Sequence, residues 1–367
     1  MNTKQVEMQT ATPALYGISH SNRNFADPFY WGKNQFNSSF PAALCCYMRD
    51  KGQSAVYISL EKKKTKISES SFSKVFGSVK PNGELIFDFE ETYEPYKKFV
   101  HDALEHIDLV IRDAETGKYL RPLEIKLTTL PDDGTSSLAE EDYGSELVVR
   151  SPTMRYLALG VAEAVSPSDA EVIRDIFEPH CKGIGKDWES MRAMLSYRDE
   201  LFDAVEQFLE KFQHLQKPLL IQPIWKTLGK SPILADNCLD VFVWSDFALA
   251  RMVLDTCYHS GKDAEKKIPR HQRAILRLAR FLYEFSVSGK VYQEPIYDGM
   301  TYGPLNDKEF SMSGAKTNPY MACERLLKPT ITKGEIKKIV LGGGQKFLSP
   351  ERRFDSILFF SKELFDE

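Results

Sequence analysis

A chain of 367 residues with 42% hydrophobic and 12% aromatic side chains has material for a sizeable core, and its length allows two or three domains. Its 48 basic and 52 acidic residues give a net charge of −4, which excludes a bulk polycation, so any contact with nucleic acid has to come from local basic surfaces. Six cysteines (Cys45, Cys46, Cys181, Cys238, Cys257, Cys323) show no C-x-x-C and no His at zinc-site spacing, and no apolar run approaches the ~20 residues of a membrane span. The opening MNTKQVEMQT lacks the apolar centre of a signal peptide. A soluble, cytoplasmic protein with reduced, mostly buried thiols is expected.

In chain order, Met1–Pro13 reads as a loose leader and Leu15–Asn37 as loop. Ser39 is an N-cap residue for a helix from Phe40 to Lys51, with Pro41 in its first turn and Gly52 closing it. Just before it, Lys33, Asn34, Gln35 and Asn37 are side chains able to read base edges or phosphates; the same residues also suit a polar turn ahead of a helix, and both readings stand. Ser54–Leu60 predicts a strand, Glu61–Lys66 a charged turn and Leu85–Phe89 a short strand. Tyr93–Glu105 predicts a helix with Phe99, Val100, Ala103 and Leu104 on one face. The acids Glu90, Glu91 and Glu94 could assist a metal but suit a helix surface better.

The next stretch, His106–Leu127, organises the rest. His106–Arg112 and Tyr119–Leu127 are apolar at alternate positions, and Asp113–Lys118 between them holds a Thr-Gly turn signal. Alternation puts Ile107, Leu109 and Ile111 on one face of the first strand and Asp108 and Val110 on the other; Glu124 and Lys126 share a face of the second. If Asp113 pairs with Tyr119 across a five-residue loop, Asp108 faces Glu124. Side chains so opposed have Cβ atoms roughly 5 Å apart, close enough for one hard cation to bridge both carboxylates with Lys126 beside them. The plain alternative is a surface hairpin with a Glu/Lys pair. Both acids, however, lie in strands that otherwise read as buried.

Beyond the hairpin, Pro131–Gln216 reads as an acidic loop followed by helices and as an insertion; Glu200–Phe212 is the clearest, with Leu201, Ala204, Val205, Phe208, Leu209 and Phe212 spaced by three and four. Leu219–Trp225 and Cys238–Trp244 predict strands, and Asp246–Tyr258 a helix. Gln222 and Lys226 could flank a cleft. Lys262–Arg280 holds three Lys and four Arg against Asp263 and Glu265, and Pro269 starts a helix on which Arg270, Arg273, Arg277 and Arg280 recur at helical spacing. That stripe suits phosphate-backbone contacts or a plain solvated face. Gly342-Gly343-Gly344-Gln345-Lys346 lacks phosphate-loop spacing, and Glu351–Phe360 suggests a final strand.

The D…E-x-K arrangement of Asp108, Glu124 and Lys126 is the signature of PD-(D/E)xK nucleases. The chain further resembles the HindVP-type family of type II restriction endonucleases in Leu15–Gly52 (with GKNQFNSSFP the most particular block), in HIDLVIRD…RPLEIKLTTLPDD and in PLLIQPIWKT. The resemblance implies an α/β restriction-endonuclease-like fold with a mixed central sheet flanked by helices. Residues 1–84 would form an N-terminal arm and helix, 85–260 a catalytic core with the insertion at 131–216, and 261–367 a basic helix and strands, all within one elaborated domain. It implies Mg²⁺ held by Asp108, Glu124 and the Ile125 carbonyl, with Lys126 orienting the attacking water. It also implies double-stranded DNA as substrate, cut at a GRCGYC-type palindrome to leave a 5′ CG overhang, a homodimer, and a methyltransferase as genetic partner. A repair or junction nuclease and a DNA-binding protein without activity are the alternatives; intact Asp108, Glu124 and Lys126 weigh against the last.

Overall fold

Strands lead the described chain to residue 150, helices follow, and strands recur at 219–242 and 308–313 among further helices, as stretches of alternating and three-and-four spacing predict. A computed structural model describes residues 55–61, 64–70, 85–123, 127–130, 146–190, 192–215, 219–222, 225–228, 231–234, 239–242, 247–259, 270–292 and 308–313. The expected helix Phe40–Lys51, the Gly342–Lys346 run and the tail strand Glu351–Phe360 lie outside these residues.

The strands are β1 (Ala55–Glu61), β2 (Lys64–Ser70), β3 (Leu85–Glu91), β4 (Ile107–Asp113), β5 (Tyr119–Leu123), β6 (Leu127–Leu130), β7 (Glu146–Arg150), β8 (Leu219–Gln222), β9 (Trp225–Leu228), β10 (Ser231–Leu234), β11 (Leu239–Phe242) and β12 (Lys308–Ser313). They pair as a five-stranded sheet in the order β2-β1-β8-β11-β6, a three-stranded sheet β3-β4-β5, and two ribbons, β10-β9 and β12-β7. Every pairing of these strands is antiparallel, so among the described residues the expected single mixed sheet is replaced by several antiparallel ones. The predicted strand Leu219–Trp225 is likewise divided: β8 joins the five-stranded sheet, whereas β9 begins at Trp225 and pairs with β10.

Among the described residues five α-helices carry the larger core: α1 (Ser151–Ala164), α2 (Pro167–Cys181), α3 (Arg198–Lys211), α4 (Phe247–His259) and α5 (Arg270–Ser288). The expected apolar face of α3 is as read, with Leu201, Ala204, Val205, Phe208, Leu209 and Phe212 all buried. Phe208 meets Phe247 of α4 and Phe212 at 5.3 Å between ring centroids. A capping box opens α2: the Ser166 hydroxyl accepts from the Asp169 N–H, and the Asp169 carboxylate accepts from the Ser166 N–H. The central helix is α5, which packs against α1, α2, α3 and α4. Helices of the expected insertion therefore share one hydrophobic cluster with Tyr93, Tyr96, Val100, Ile107 and Val110 of the segment around β4.

Two expectations are corrected here. Tyr93–Glu105 is not a helix: a 3₁₀ segment over Glu94–Phe99 ends at Val100, whose backbone is extended. Val100 makes a parallel bridge with Val291 beyond α5, the His101 N–H donates to the Val291 carbonyl, and the Val291 N–H donates to that of Phe99. Pairing with a distant segment satisfies backbone groups that the helix would have used, so periodicity loses to tertiary contact.

The second correction concerns the arginine stripe. α5 starts at Arg270 and buries Ala274, Ile275, Leu278 and Leu282 as expected, but Arg273 and Arg277 are only 3% and 1% exposed. Packing from several sides leaves α5 no solvent face at those positions. A guanidinium so enclosed offers a DNA phosphate no approach in this conformation. Arg280 is better exposed, yet it is engaged with Glu284 (3.0 Å) and with the Trp188 carbonyl (3.2 Å). Cys181 and Cys257 are both buried, and burial pushes the Cys181 thiol up to about 12. Among the described residues no helix is long and apolar enough to cross a membrane.

Candidate active site

The three-stranded sheet places Asp108. Along β4 the residues Ile107, Leu109, Val110 and Ile111 are buried, while Asp108 and Arg112 are partly exposed. Asp108 thus sits on a strand that is paired along both edges, and it remains partly exposed. β3 binds one edge of β4, pairing Asp88 with Val110, Phe89 with Leu109 and Glu91 with Ile107. The step between the last two pairs sets position 90 across from Asp108 in the backbone register.

The other edge carries β5, which ends one residue before Glu124. β4 and β5 pair Leu109 with Leu123, Val110 with Pro122 and Ile111 with Arg121, the register that the sequence reading derived from its five-residue loop. The loop itself is different. The Asp113 N–H donates to the Lys118 carbonyl, so the turn is tighter by one residue. Its chemistry explains the tightening: the Asp113 carboxylate accepts from the N–H groups of Glu115 (3.0 Å) and Thr116 (2.7 Å), and Gly117 takes φ +68°. An irregularity between Ile111 and Arg112, where Arg112 pairs with Tyr119, then restores the register toward Asp108.

Charges around this sheet are largely engaged. Arg112 is bound to Asp88 of β3, a contact that raises the guanidinium's pKa further, and it lies 5.6 Å over the Tyr119 ring. Glu91 accepts from the Thr92 N–H at 2.8 Å, the main reason its carboxyl sits below the ordinary value. The Thr92 hydroxyl donates to Glu94 at 3.1 Å. Glu91 and Glu94 therefore serve a local turn. Tyr93, pushed well up by burial, donates to Glu163 of α1 at 3.3 Å and meets Tyr119 edge-on at 5.5 Å, joining helix, 3₁₀ segment and hairpin.

Of the residues singled out by sequence, Asp108 is on β4, whereas Glu124, Ile125 and Lys126 lie outside the described residues, as do Lys33, Asn34, Gln35 and Asn37. Arg270 opens α5, and Arg273 and Arg277 are enclosed as described above. The donor chemistry present at Asp108, a partly exposed carboxylate on a rigid strand, fits a hard divalent cation. Sequence reading gave no weight to Arg155 and Tyr156 of α1. They contact the segment leading into β4: Arg155 reaches Asp102 and the Ala103 carbonyl, and the Tyr156 hydroxyl donates to the His106 carbonyl at 2.7 Å. Nothing in helical spacing marks such contacts, since they join residues about fifty positions apart.

Comparison with known proteins identifies the class of chemistry. A family model described as HindVP restriction endonuclease matches residues 31–365. The chain belongs to the HindVP restriction endonuclease family. It is 39% identical over 359 residues to the type II restriction enzyme HgiDI of Herpetosiphon aurantiacus, covering 98% of this chain and 99% of that protein. It is 38% identical over 358 residues to the probable type II restriction enzyme HindVP of Haemophilus influenzae, covering 96% and 95%. No solved structure matches the chain. Membership makes it an enzyme, a site-specific deoxyribonuclease.

Proposed function

We propose that this enzyme is a cytoplasmic type II restriction endonuclease that cuts both strands of a short palindromic DNA site in a Mg²⁺-dependent reaction. In this reading β3, β4 and β5 belong to a PD-(D/E)xK core within one elaborated domain. One observation carries the site: β4 and β5 run in the register Leu109–Leu123, and its next step would bring residue 124 opposite Asp108.

Asp108, Glu124 and the Ile125 carbonyl would hold the cation. When bound, it polarises the scissile phosphate and lowers the pKa of coordinated water. The chain's own contributions follow from residue chemistry. Asp108, on a strand paired along both edges, supplies an oxygen donor whose position does not drift. Lys126 orients the attacking water and offsets charge developing on phosphorus. Lys33, Asn34, Gln35, Asn37 and Arg270 remain candidates for DNA contact, whereas Arg273 and Arg277 are buried.

The family resemblance implies a GRCGYC-type site cut between R and C to leave a 5′ CG overhang. A palindrome is most simply matched by a two-fold homodimer with one active site per strand. A methyltransferase that protects host DNA would be its genetic partner.

Digestion of plasmid DNA in Mg²⁺, with sequencing of the ends, tests the reading. Discrete bands with GRCGYC ends are expected; nicking selective for branched structures would point to a junction nuclease, and no cutting to a DNA-binding protein alone. Excess chelator should stop cleavage. Ca²⁺ in place of Mg²⁺ should allow specific binding without turnover, because the larger ion accepts looser geometry.

A further inference from the structure

We propose that Arg155 and Tyr156 of α1 are positioning residues that set where Asp108 presents its carboxylate. The inference rests on the reading of Asp108 as a metal ligand. Between the bridge at Val100 and the start of β4, residues 101–106 form neither helix nor strand. Such a segment, entering directly onto the strand that bears Asp108, needs an external hold if that strand is to start in one place.

α1 supplies it. The Arg155 Nη2 group donates to Asp102 Oδ1 at 3.3 Å and to the Ala103 carbonyl at 3.0 Å, and Nη1 stands 4.0 Å from Glu105 Oε1. The Tyr156 hydroxyl donates to the His106 carbonyl at 2.7 Å. Two adjacent helix residues thus hydrogen-bond residues 102, 103 and 106, with Glu105 at ion-pair distance. The Arg155 side chain is 0% exposed, and an enclosed guanidinium is costly unless its partners are well placed. An apolar side chain would have filled the same space without that cost. The charge is used here on one short segment.

The lever to the site is short. Fixing the His106 carbonyl fixes the peptide plane joining it to Ile107, the residue whose strand position is set from the other side by Glu91 of β3. Asp108 is the next residue. Rotation of that plane would displace the carboxylate, and Mg²⁺ demands oxygen ligands in near-ideal octahedral geometry. Hydrogen bonds that orient ligands from behind affect metal affinity strongly for this reason.

The test compares full-length wild type with Tyr156→Phe, Arg155→Lys and Asp108→Ala. Mn²⁺ binding is followed by the electron paramagnetic resonance signal of free Mn²⁺, alongside thermal unfolding, DNA binding in Ca²⁺ and the Mg²⁺ dependence of plasmid cleavage. Tyr156→Phe removes one oxygen and keeps the ring, so it reports even if Arg155→Lys fails to fold. It should weaken Mn²⁺ binding by about tenfold and raise the Mg²⁺ needed for half-maximal cutting equally. Cutting should recover at high Mg²⁺, with thermal unfolding and DNA binding unchanged. A folded Arg155→Lys should shift the same way, because lysine lacks the second guanidinium nitrogen, which stands beside Glu105 while Nη2 serves residues 102 and 103.

Wild-type Mn²⁺ affinity in Tyr156→Phe, with binding lost in Asp108→Ala, overturns the inference and leaves the metal reading intact. Weaker Mn²⁺ binding matched by a large drop in unfolding temperature also overturns it, since the contact would then serve folding alone. Wild-type affinity in Asp108→Ala overturns the metal reading and this inference with it.

Discussion

The helical part of the molecule and the three-stranded sheet are built by opposite means. Around α5, residue after residue is enclosed: Ala274, Ile275, Leu276, Leu278, Ala279, Phe281 and Leu282 are all 0% exposed, and two arginines are buried with them. The β3-β4-β5 sheet instead interrupts its buried run on β4 with Asp108 and Arg112, both in reach of water. One region is shaped for cohesion, and the other leaves charged positions in a rigid frame. Variants in the sheet should therefore change chemistry with little loss of fold, and variants in the helices the reverse.

The largest effect expected on the sheet side is on cleavage. With Asp108 a metal ligand as proposed, Asp108→Ala should reduce cutting by at least about 10³-fold, a loss of several kcal/mol of transition-state stabilisation at roughly 1.36 kcal/mol per tenfold. Glu124→Ala should match it, and Lys126→Ala should be inactive while still binding metal. Far-ultraviolet circular dichroism and thermal unfolding should match wild type throughout. Near-normal cutting by any one folded variant removes that residue from the mechanism.

The helical counterpart is Phe208→Ala. Phe208 is 0% exposed and rests against Phe212 and Phe247, so its removal should cost about 3–5 kcal/mol in urea unfolding. Protein that remains folded should retain its cleavage rate per active site. Loss of activity in full proportion to Asp108→Ala, without loss of stability, would erase the contrast between the regions.

A smaller effect tests the frame of the sheet itself. Gly117 sits at φ +68° in the turn joining β4 and β5, where an L side chain is strained whatever the space around it. Gly117→Ala should lower stability by about 1 kcal/mol and leave cutting nearly unchanged, because the irregularity between Ile111 and Arg112 separates the turn from Asp108. A large loss of activity would mean that turn and site are coupled through the strand.

What was legible in the sequence divides along the same line. The hairpin could be read because alternation and a turn signal are local, and the register at Leu109–Leu123 came out as expected. Its loop was misjudged by one residue because the Asp113 side chain takes up turn N–H groups, which spacing does not reveal. The loss of the expected helix over Tyr93–Glu105 was not legible, because the segment that competes for its backbone, at Val291, lies far along the chain. The arginine stripe failed for a related reason. Periodicity distinguishes two sides of a helix but cannot say that both are covered. Family resemblance supplied what physics left open, since D…E-x-K alone is a short pattern with many chance occurrences.

The smallest expected effect is a pH dependence confined to the helical part. In the capping box of α2 the Asp169 carboxylate accepts from the Ser166 N–H at 2.9 Å, and this bond, followed by the one from the Ser166 hydroxyl, holds its pKa below the ordinary aspartate value. A carboxyl with a depressed folded pKa binds protons less readily in the folded chain than in the unfolded one. Its contribution is therefore complete above the unfolded aspartate pKa of about 3.9 and disappears as pH falls through the lower folded value. Asp169→Asn should thus unfold slightly earlier than wild type at pH 7, and the difference should shrink to nothing in strong acid. The residue is partly exposed and far along the chain from Asp108, so the cleavage rate at pH 7 should not respond. A difference that persists unchanged into acid would show that the side chain acts through its amide-like hydrogen bonding alone and that its charge contributes nothing to the cap.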